Sequence, residues 1–161
     1  MSEIISADNT ELLAYILGDI QNKAYIDVVR NVQQQITDNA ELIDVPVVHH
    51  FAPGVYMRQM DAAAGTLVVS KMHRTEHMNI LLKGSLTVAT EDGIQLITAP
   101  CVLKSMPGTK RIGYFHEDSS WITVHPTDEK DLELIEQQVI VTDEEIDQFL
   151  ASLPNKCKEI E

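Results

Sequence analysis

The sequence has little cysteine and no long apolar run. Its 161 residues include two cysteines, Cys101 and Cys157, which lie in a strand-like segment and in a polar tail. Two cysteines so far apart favour neither a disulfide framework nor a thiolate metal site. We therefore expect a reducing compartment, the cytoplasm. No apolar run approaches the ~20 residues of a membrane-spanning helix, and the acidic N-terminus does not resemble a secretory signal.

Basic residues are also scarce, and their distribution is uneven. The chain has 12 Lys and Arg against 25 Asp and Glu, a formal net charge of −13. Residues 1–44 hold 8 acidic and 2 basic residues, residues 45–116 hold 4 and 7, and residues 117–161 hold 13 and 3. An acidic surface repels nucleic acid and anionic membranes, so we expect neither as a partner. The mildly basic centre is suited to a small anion.

Apolar spacing divides the chain into three parts, with predicted boundaries at 1–43, 44–126 and 127–161. Residues 1–43 are predicted to be helical, because apolar residues from Leu13 to Ile36 recur every three or four positions. The helix is expected to stop at Asp38-Asn39. Residues 127–161 predict two short acidic helices, the first capped by Thr127 and the second begun by Thr142 and Glu145 as a capping box.

The central part, 44–126, alternates short apolar runs with turn residues and predicts an antiparallel sandwich or barrel. The predicted strands are Val45–Val48, Val55–Met60, Thr66–Met72, Met78–Leu82, Leu86–Thr90, Gln95–Ile97, Val102–Lys104, Ile112–Phe115 and Trp121–Val124. One more short strand is predicted at Val139–Val141.

One segment of this central part, GTLVVSKMHRTEHMNILLKG from Gly65 to Gly84, resembles the first motif of the cupin superfamily. Counted back from Gly84, the three ligand positions of that motif fall on Lys71, His73 and His77. The following segment Pro107-Gly108-Thr109-Lys110-Arg111 resembles the second motif, with Arg111 where a third histidine would stand. The chain also resembles small cupin-like proteins of phages and prophages.

This resemblance implies a mostly β fold with flanking helices, namely a double-stranded β-helix, or jelly-roll, barrel. It implies a pocket at His73 and His77 that binds one divalent ion, with Zn, Fe, Mn or Ni as candidates for imidazole ligands. It also implies pairing of barrels, so a homo-oligomer is expected. The alternative is a non-catalytic module that binds a small ligand or serves in assembly without metal, and the sequence does not decide whether the chain is an enzyme.

The best candidate for the third metal ligand is His125. Arg111–His116 and Trp121–His125 are predicted to pair as a hairpin, which sets His125 beside Arg111 if its loop has three residues. Glu76 is the carboxylate alternative, although its position at a turn favours water. His73-Arg74-Thr75-Glu76-His77 also matches a zinc-peptidase pattern, which needs a helix. The β-branched residues before it leave no room for a helix, so we reject that interpretation.

Lys71 and Arg111 are the unusual charges of the predicted barrel. Lys71 lies two positions before His73 and, on a regular strand, shares its face. A barrel interior excludes charge unless it is paired or binds something. Either both side chains extend to the solvated rim, or they meet an anion there. We expect the second, with a small anion such as a carboxylate, a sugar acid or a phosphate ester. His49, His50 and His116 are interpreted as edge or loop residues, and Tyr114, Phe115 and Trp121 as core.

Overall fold

The computed structural model describes residues 2–6, 25–39, 42–90 and 93–153. Within these ranges the three α-helices are α1 (Tyr25–Asn39), α2 (Leu132–Val139) and α3 (Ile146–Ser152), and a 3₁₀ turn at Asp143–Glu145 precedes the last. The twelve strands there are β1 (Ser2–Ser6), β2 (Val47–Ala52), β3 (Val55–Ala62), β4 (Thr66–Ser70), β5 (Met72–His73), β6 (His77–Lys83), β7 (Ser85–Thr90), β8 (Gly93–Thr98), β9 (Cys101–Ser105), β10 (Ile112–Phe115), β11 (Ser119–His125) and β12 (Ile140–Val141).

Ten of these strands form two antiparallel sheets that face each other. Sheet A has the order β1-β4-β10-β7-β8, and sheet B has the order β2-β3-β11-β6-β9. Without the edge strands β1 and β2, the remaining orders β4-β10-β7-β8 and β3-β11-β6-β9 are those of a jelly roll, in which successive strands alternate between the sheets except at the β7–β8 hairpin. The predicted fold class, a jelly-roll barrel with flanking helices, is confirmed.

Helix α1 covers the outer face of sheet A. Its buried stripe packs on side chains of three strands, in one cluster formed by Val28, Val29, Val32, Ile36, Leu67, Val69, Ala89 and Ile112. Strand β4 therefore has both faces buried, since Val68 points the other way into the barrel. A strand covered on both faces is apolar without alternation, as the run Thr66–Val69 is.

The acidic C-terminal part closes one end of the barrel. Strand β12 pairs with β5, so that Ile140 lies opposite His73. Residues Ile135 and Val139 of α2 pack with Ile140 against Tyr56 on β3. The basic centre and the acidic C-terminus therefore meet at this end, for example where Arg74 pairs with Glu145 at 2.9 Å.

Most predicted elements of the barrel are present, with two corrections. Residues Ser2–Ser6 form a strand that pairs with β4, not the start of a helix. The predicted hairpin of Arg111–His116 with Trp121–His125 is wrong, because β10 pairs with β4 and β7 whereas β11 pairs with β3 and β6. The chain crosses between the sheets in the connection from β10 to β11.

The helices follow the predictions in part. Helix α1 ends at Asn39 as expected, whereas the apolar residues from Leu13 to Ala24 lie outside the described residues. Helix α2 begins after Asp131, whose carboxylate accepts the hydrogen bonds of the Glu133 and Leu134 amides, and not after Thr127. None of the helices in the described ranges is long and apolar enough to cross a bilayer.

A histidine and arginine cavity in the barrel

Strand register gathers three histidines at the end of the barrel that the C-terminal part closes. On β6 the inward residues are His77, Asn79 and Leu81, which are buried while Met78 between them is exposed. On β11 Thr123 lies opposite Asn79, and Val124 lies opposite Met78. His125 follows one step beyond and points inward beside His77. His73 reaches the same place from β5.

The three imidazole rings are in mutual contact. Ring centres are 4.3 Å apart for His73 and His77, 4.9 Å for His77 and His125, and 5.6 Å for His73 and His125. Tyr56 stacks on the far side of His125 with its ring centre at 6.0 Å. In the described part of the chain no group of three His, Cys, Asp or Glu side chains is already arranged around a metal position. The structure thus shows a contact cluster of imidazoles.

Several nitrogens of this cluster are buried and lack a partner. They are Nε2 of His73, Nε2 of His77 and both ring nitrogens of His125. The His77 ring is oriented by its other nitrogen, since Nδ1 lies 3.0 Å from the Thr75 carbonyl and donates to it. That bond leaves the Nε2 lone pair free as an acceptor or metal ligand.

Burial keeps these rings neutral. Desolvation is the largest cause of a lowered pKa for all three: well below the ordinary value for His73, lowered for His77, and lowered to about 4 for His125. Arg111 adds a smaller lowering of the pKa at His73 and His77, and Arg58 does so at His125. Neutral imidazole is the form that binds a metal ion.

His73 and His77 open onto a cavity of about 70 Å³ between the two sheets. This volume suits a few water molecules or a small ligand. The described residues that line it include no acid: they are Arg58, Met60, Val68, Ser70, His73, His77, Asn79, Leu86, Val88, Arg111, Gly113, Phe115, Trp121 and Thr123. His125 is fully buried and lies behind this lining.

Two arginines face the cavity from opposite sheets. Arg111, just before β10, donates from Nη1 to Ser105 Oγ at 2.6 Å, and its guanidinium lies 5.9 Å from the centre of the Trp121 ring. Arg58 is an inward residue of β3, opposite Thr123. Burial lowers the pKa of both guanidinium groups. Two partly buried cations without an acidic neighbour in the lining make the cavity attractive to an anion.

The structure brings most of the predicted site residues together but separates Lys71 from them. His73, His77 and Arg111 line one cavity, and His125 contacts both histidines although no hairpin brings it there. The expectation that Lys71 shares this pocket is wrong. The chain leaves the strand at Lys71, between β4 and β5, so the alternation is broken. The lysine is exposed and lies in a surface depression with Glu133 and Glu136.

The other candidates lie at the surface or have a different role. Glu76 is half exposed and pairs with Lys104 at 3.0 Å, so the carboxylate alternative faces water. His116 is exposed and bonds to Thr87. Trp121, interpreted as core, also forms part of the cavity wall.

Arg58 and Thr123 were missed by the sequence analysis. The signal for Arg58 was alternation, because Tyr56, Arg58 and Met60 share one face of a predicted strand. A charge between two large apolar residues on an inward face is unusual. Thr123 gave no signal, since threonine is common on either face of a strand.

Comparisons with known proteins concern the fold. No family model matches the chain, and no curated protein matches it. Solved structures that resemble it are cupins, among them a cupin superfamily protein from Desulfitobacterium hafniense DCB-2, with 13% identity, a TM-score of 0.46, and coverage of 56% of this chain and 84% of the other. An acetylacetone dioxygenase from Acinetobacter johnsonii has 16% identity and a TM-score of 0.42, with coverage of 68% and 77%.

An RmlC-like cupin from Shewanella frigidimarina NCIMB 400 has 11% identity and a TM-score of 0.41, with coverage of 56% of this chain and 89% of the other. Scores at this level carry no argument about residues or activity. The assignment to the jelly roll therefore rests on the strand order. The expected likeness to phage proteins receives no support from these structures.

Proposed function

We propose that this chain holds one divalent metal ion with His73, His77 and His125 and binds a small anion beside it. The observation that carries the proposal is the set of unpartnered, buried nitrogens on three contacting neutral imidazoles. A buried nitrogen without a partner loses its hydrogen bond to water and gains nothing in return. A metal ion would satisfy one nitrogen of each ring at once.

The donor set fits a metal ion of intermediate softness. Imidazoles around one tetrahedral ion have ring centres about 5 Å apart, since each nitrogen lies about 2 Å from the ion. The observed separations of 4.3, 4.9 and 5.6 Å lie around that value, so the rings are close enough together for one ion, although their nitrogens do not converge on one position among the described residues. Three imidazoles and no carboxylate favour Zn, Fe or Ni over Mn among the expected ions.

The residues around the cluster have distinct roles in this proposal. The Thr75 carbonyl fixes the orientation of His77, and the stacked Tyr56 ring holds His125 against the other two. A bound divalent ion with three neutral ligands keeps its double positive charge and acts as a Lewis acid. Together with Arg111 on the cavity wall, it would select a small anion.

Removal of one histidine tests the metal assignment. We expect His73→Ala, His77→Ala and His125→Ala each to reduce the metal content from about one ion per chain to near zero, because two imidazoles hold an ion weakly. The measurement is elemental analysis of purified protein after loading with zinc and gel filtration. His116→Ala, at an exposed histidine, is the matched control and should keep full occupancy.

The competing function is a metal-free module that binds a small ligand. The tilted and stacked packing of the rings favours it, because no three side chains among the described residues are arranged around an ion position. Wild-type protein that takes up no metal would support the metal-free alternative, whereas equal metal content in wild type and in the His73→Ala/His77→Ala variant would remove these two residues as ligands. Location in the cytoplasm and assembly into a homo-oligomer remain parts of the proposal.

A further inference from the structure

The cavity contains more hydrogen-bond donors than the protein satisfies. Thr123 is a buried residue, 8% exposed, whose hydroxyl has no partner. It lies between Arg58 on β3 and Asn79 on β6, as the strand register shows. Glu136 interacts electrostatically with Arg58 from a neighbouring depression on the other side, but no acidic residue is among the described residues that line the cavity. The Thr123 hydroxyl therefore has no hydrogen-bond acceptor at this point of the wall.

Ser105 leads to the same conclusion on the other side. Its hydroxyl oxygen accepts two hydrogen bonds, from Asn79 Nδ2 at 2.6 Å and from Arg111 Nη1 at 2.6 Å. With both lone pairs used, its own proton remains to be donated. Arg58, Thr123 and Asn79 of sheet B and Arg111 just before β10 line the cavity, and Ser105, which is buried outside this lining, joins Asn79 to Arg111. This arc is richer in donors than in acceptors.

The opposite wall is apolar. Val68, Leu86, Val88 and Phe115 from sheet A face the arc across the cavity, with Met60 and Trp121 beside them. A fully polar anion such as phosphate would leave this wall without a contact and would itself lose water. A ligand that satisfies both walls has an anionic end and a hydrocarbon body.

We propose that the ligand is a small carboxylate with a short hydrocarbon chain, whose carboxylate accepts from the arc while the chain packs on the apolar wall. Arginine presents paired N–H groups that match a carboxylate, and hydroxyl donors complete the shell. This inference rests on the proposed function, since it names the anion of that same site. It differs from the proposed function in one respect: the carboxylate binds to the arginine and hydroxyl groups, so that it binds whether or not the metal ion is present.

A homologous series of acids tests the inference by calorimetry on zinc-loaded and on metal-free protein. We expect affinity to rise from acetate to propionate to butyrate by about threefold to fourfold per methylene, as expected for burial of hydrocarbon. Butyramide, which has the same shape without the charge, should bind at least about tenfold more weakly than butyrate. Phosphate binding as tightly as butyrate would overturn the inference.

Substitutions in the arc locate the binding. Arg58→Met and Thr123→Val should each weaken butyrate binding by about tenfold or more while the protein keeps its circular dichroism spectrum. Arg30→Met, at an arginine that pairs with Asp147 on the outside, is the matched control and should bind as wild type does. Unchanged butyrate affinity in both Arg58→Met and Thr123→Val would overturn the inference.

The two proposals fail separately. Butyrate binding that depends on Arg58, in a protein that takes up no metal, supports the carboxylate site and overturns the metal centre. Full metal occupancy without a measurable preference for butyrate over butyramide and phosphate overturns the carboxylate site and leaves the metal centre standing.

Discussion

At the scale of the residue, the buried imidazoles make the fold sensitive to acid. The pKa of His125 is about 4 in the folded protein, because burial disfavours the cation, against 6.5 for a free side chain. Between these two values the unfolded chain binds a proton that the folded chain does not. Stability therefore falls as the pH falls from about 6.5 towards 4, by about 1.4 kcal/mol per pH unit for each such proton.

Urea unfolding of metal-free protein at several pH values measures this effect. We expect the free energy of unfolding to fall between pH 6.5 and 4.5 with a slope of more than one proton, since the pKa values of His73 and His77 are also lowered. His125→Phe should reduce the slope, whatever it does to stability at pH 7. His116→Phe should keep the slope of wild type. A pH-independent wild type would contradict neutral burial of the histidines.

The sequence predicted part of this site for identifiable reasons. His73 and His77 were found because their spacing to Gly84 is local and belongs to a motif. Arg111 was found in the same way. Lys71 was placed wrongly, because alternation assumes an uninterrupted strand and the chain leaves the strand at Lys71. Arg58 was missed, although its alternation with Tyr56 and Met60 marked it as an inward residue.

At the scale of the element, the turn between β6 and β7 depends on one glycine. Gly84 has φ of +94°, and a Cβ there would meet Ser119 Oγ at 1.9 Å and the Asp118 carbonyl oxygen at 2.8 Å. We expect Gly84→Ala to lower the free energy of unfolding by about 3 kcal/mol or more, from left-handed backbone strain together with this overlap. Urea unfolding provides the measurement.

Gly65 is the matched control for this effect. Its φ of +87° is similar, but a Cβ there meets nothing within 4 Å. Gly65→Ala should therefore show the backbone strain alone, about 1 to 2 kcal/mol. Equal losses in the free energy of unfolding would contradict the prediction. They would mean that the connection from β10 to β11 moves away from the added methyl group without a free-energy cost.

The same connection explains the wrong hairpin. Ile112–Phe115 and Ser119–His125 are close in sequence, so local reasoning pairs them. The two strands instead belong to different sheets. Strand β10 lies between β4 and β7, where Ile112 packs against α1 and Phe115 packs in the core between the sheets. Strand existence was predictable from local patterns, whereas pairing across two sheets depends on residues far apart in sequence.

At the scale of the whole molecule, the uneven charge has a structural meaning. The acidic C-terminal part packs on the basic barrel, and its carboxylates meet cations there: Asp143 lies 3.7 Å from the buried Lys110, and Asp147 lies 2.8 Å from Arg30 on α1. These ion pairs set the negative charge of the C-terminal part against positive charge of the barrel and of α1.

The outer face of sheet B carries an apolar strip. Val102 is 64% exposed and Leu82 is 57% exposed. Val102 lies opposite Ile80 of β6, and Met78 on the same face of that strand is 40% exposed. Helix α1 covers sheet A, but among the described residues nothing comparable covers this strip. An exposed apolar strip on a regular sheet is suited to a second copy of the same face.

We therefore expect the protein to be a dimer through sheet B and predict that Val102→Glu makes it a monomer. The exposed position tolerates the carboxylate in a monomer, whereas two copies of the charge would be buried together in a symmetric interface. Sedimentation equilibrium at micromolar concentration measures the mass. Leu96→Glu is the matched control, because Leu96 is 69% exposed on β8 of the other sheet. A wild type that sediments as a monomer contradicts the dimer. Dissociation by Leu96→Glu with an intact Val102→Glu dimer would move the interface to sheet A.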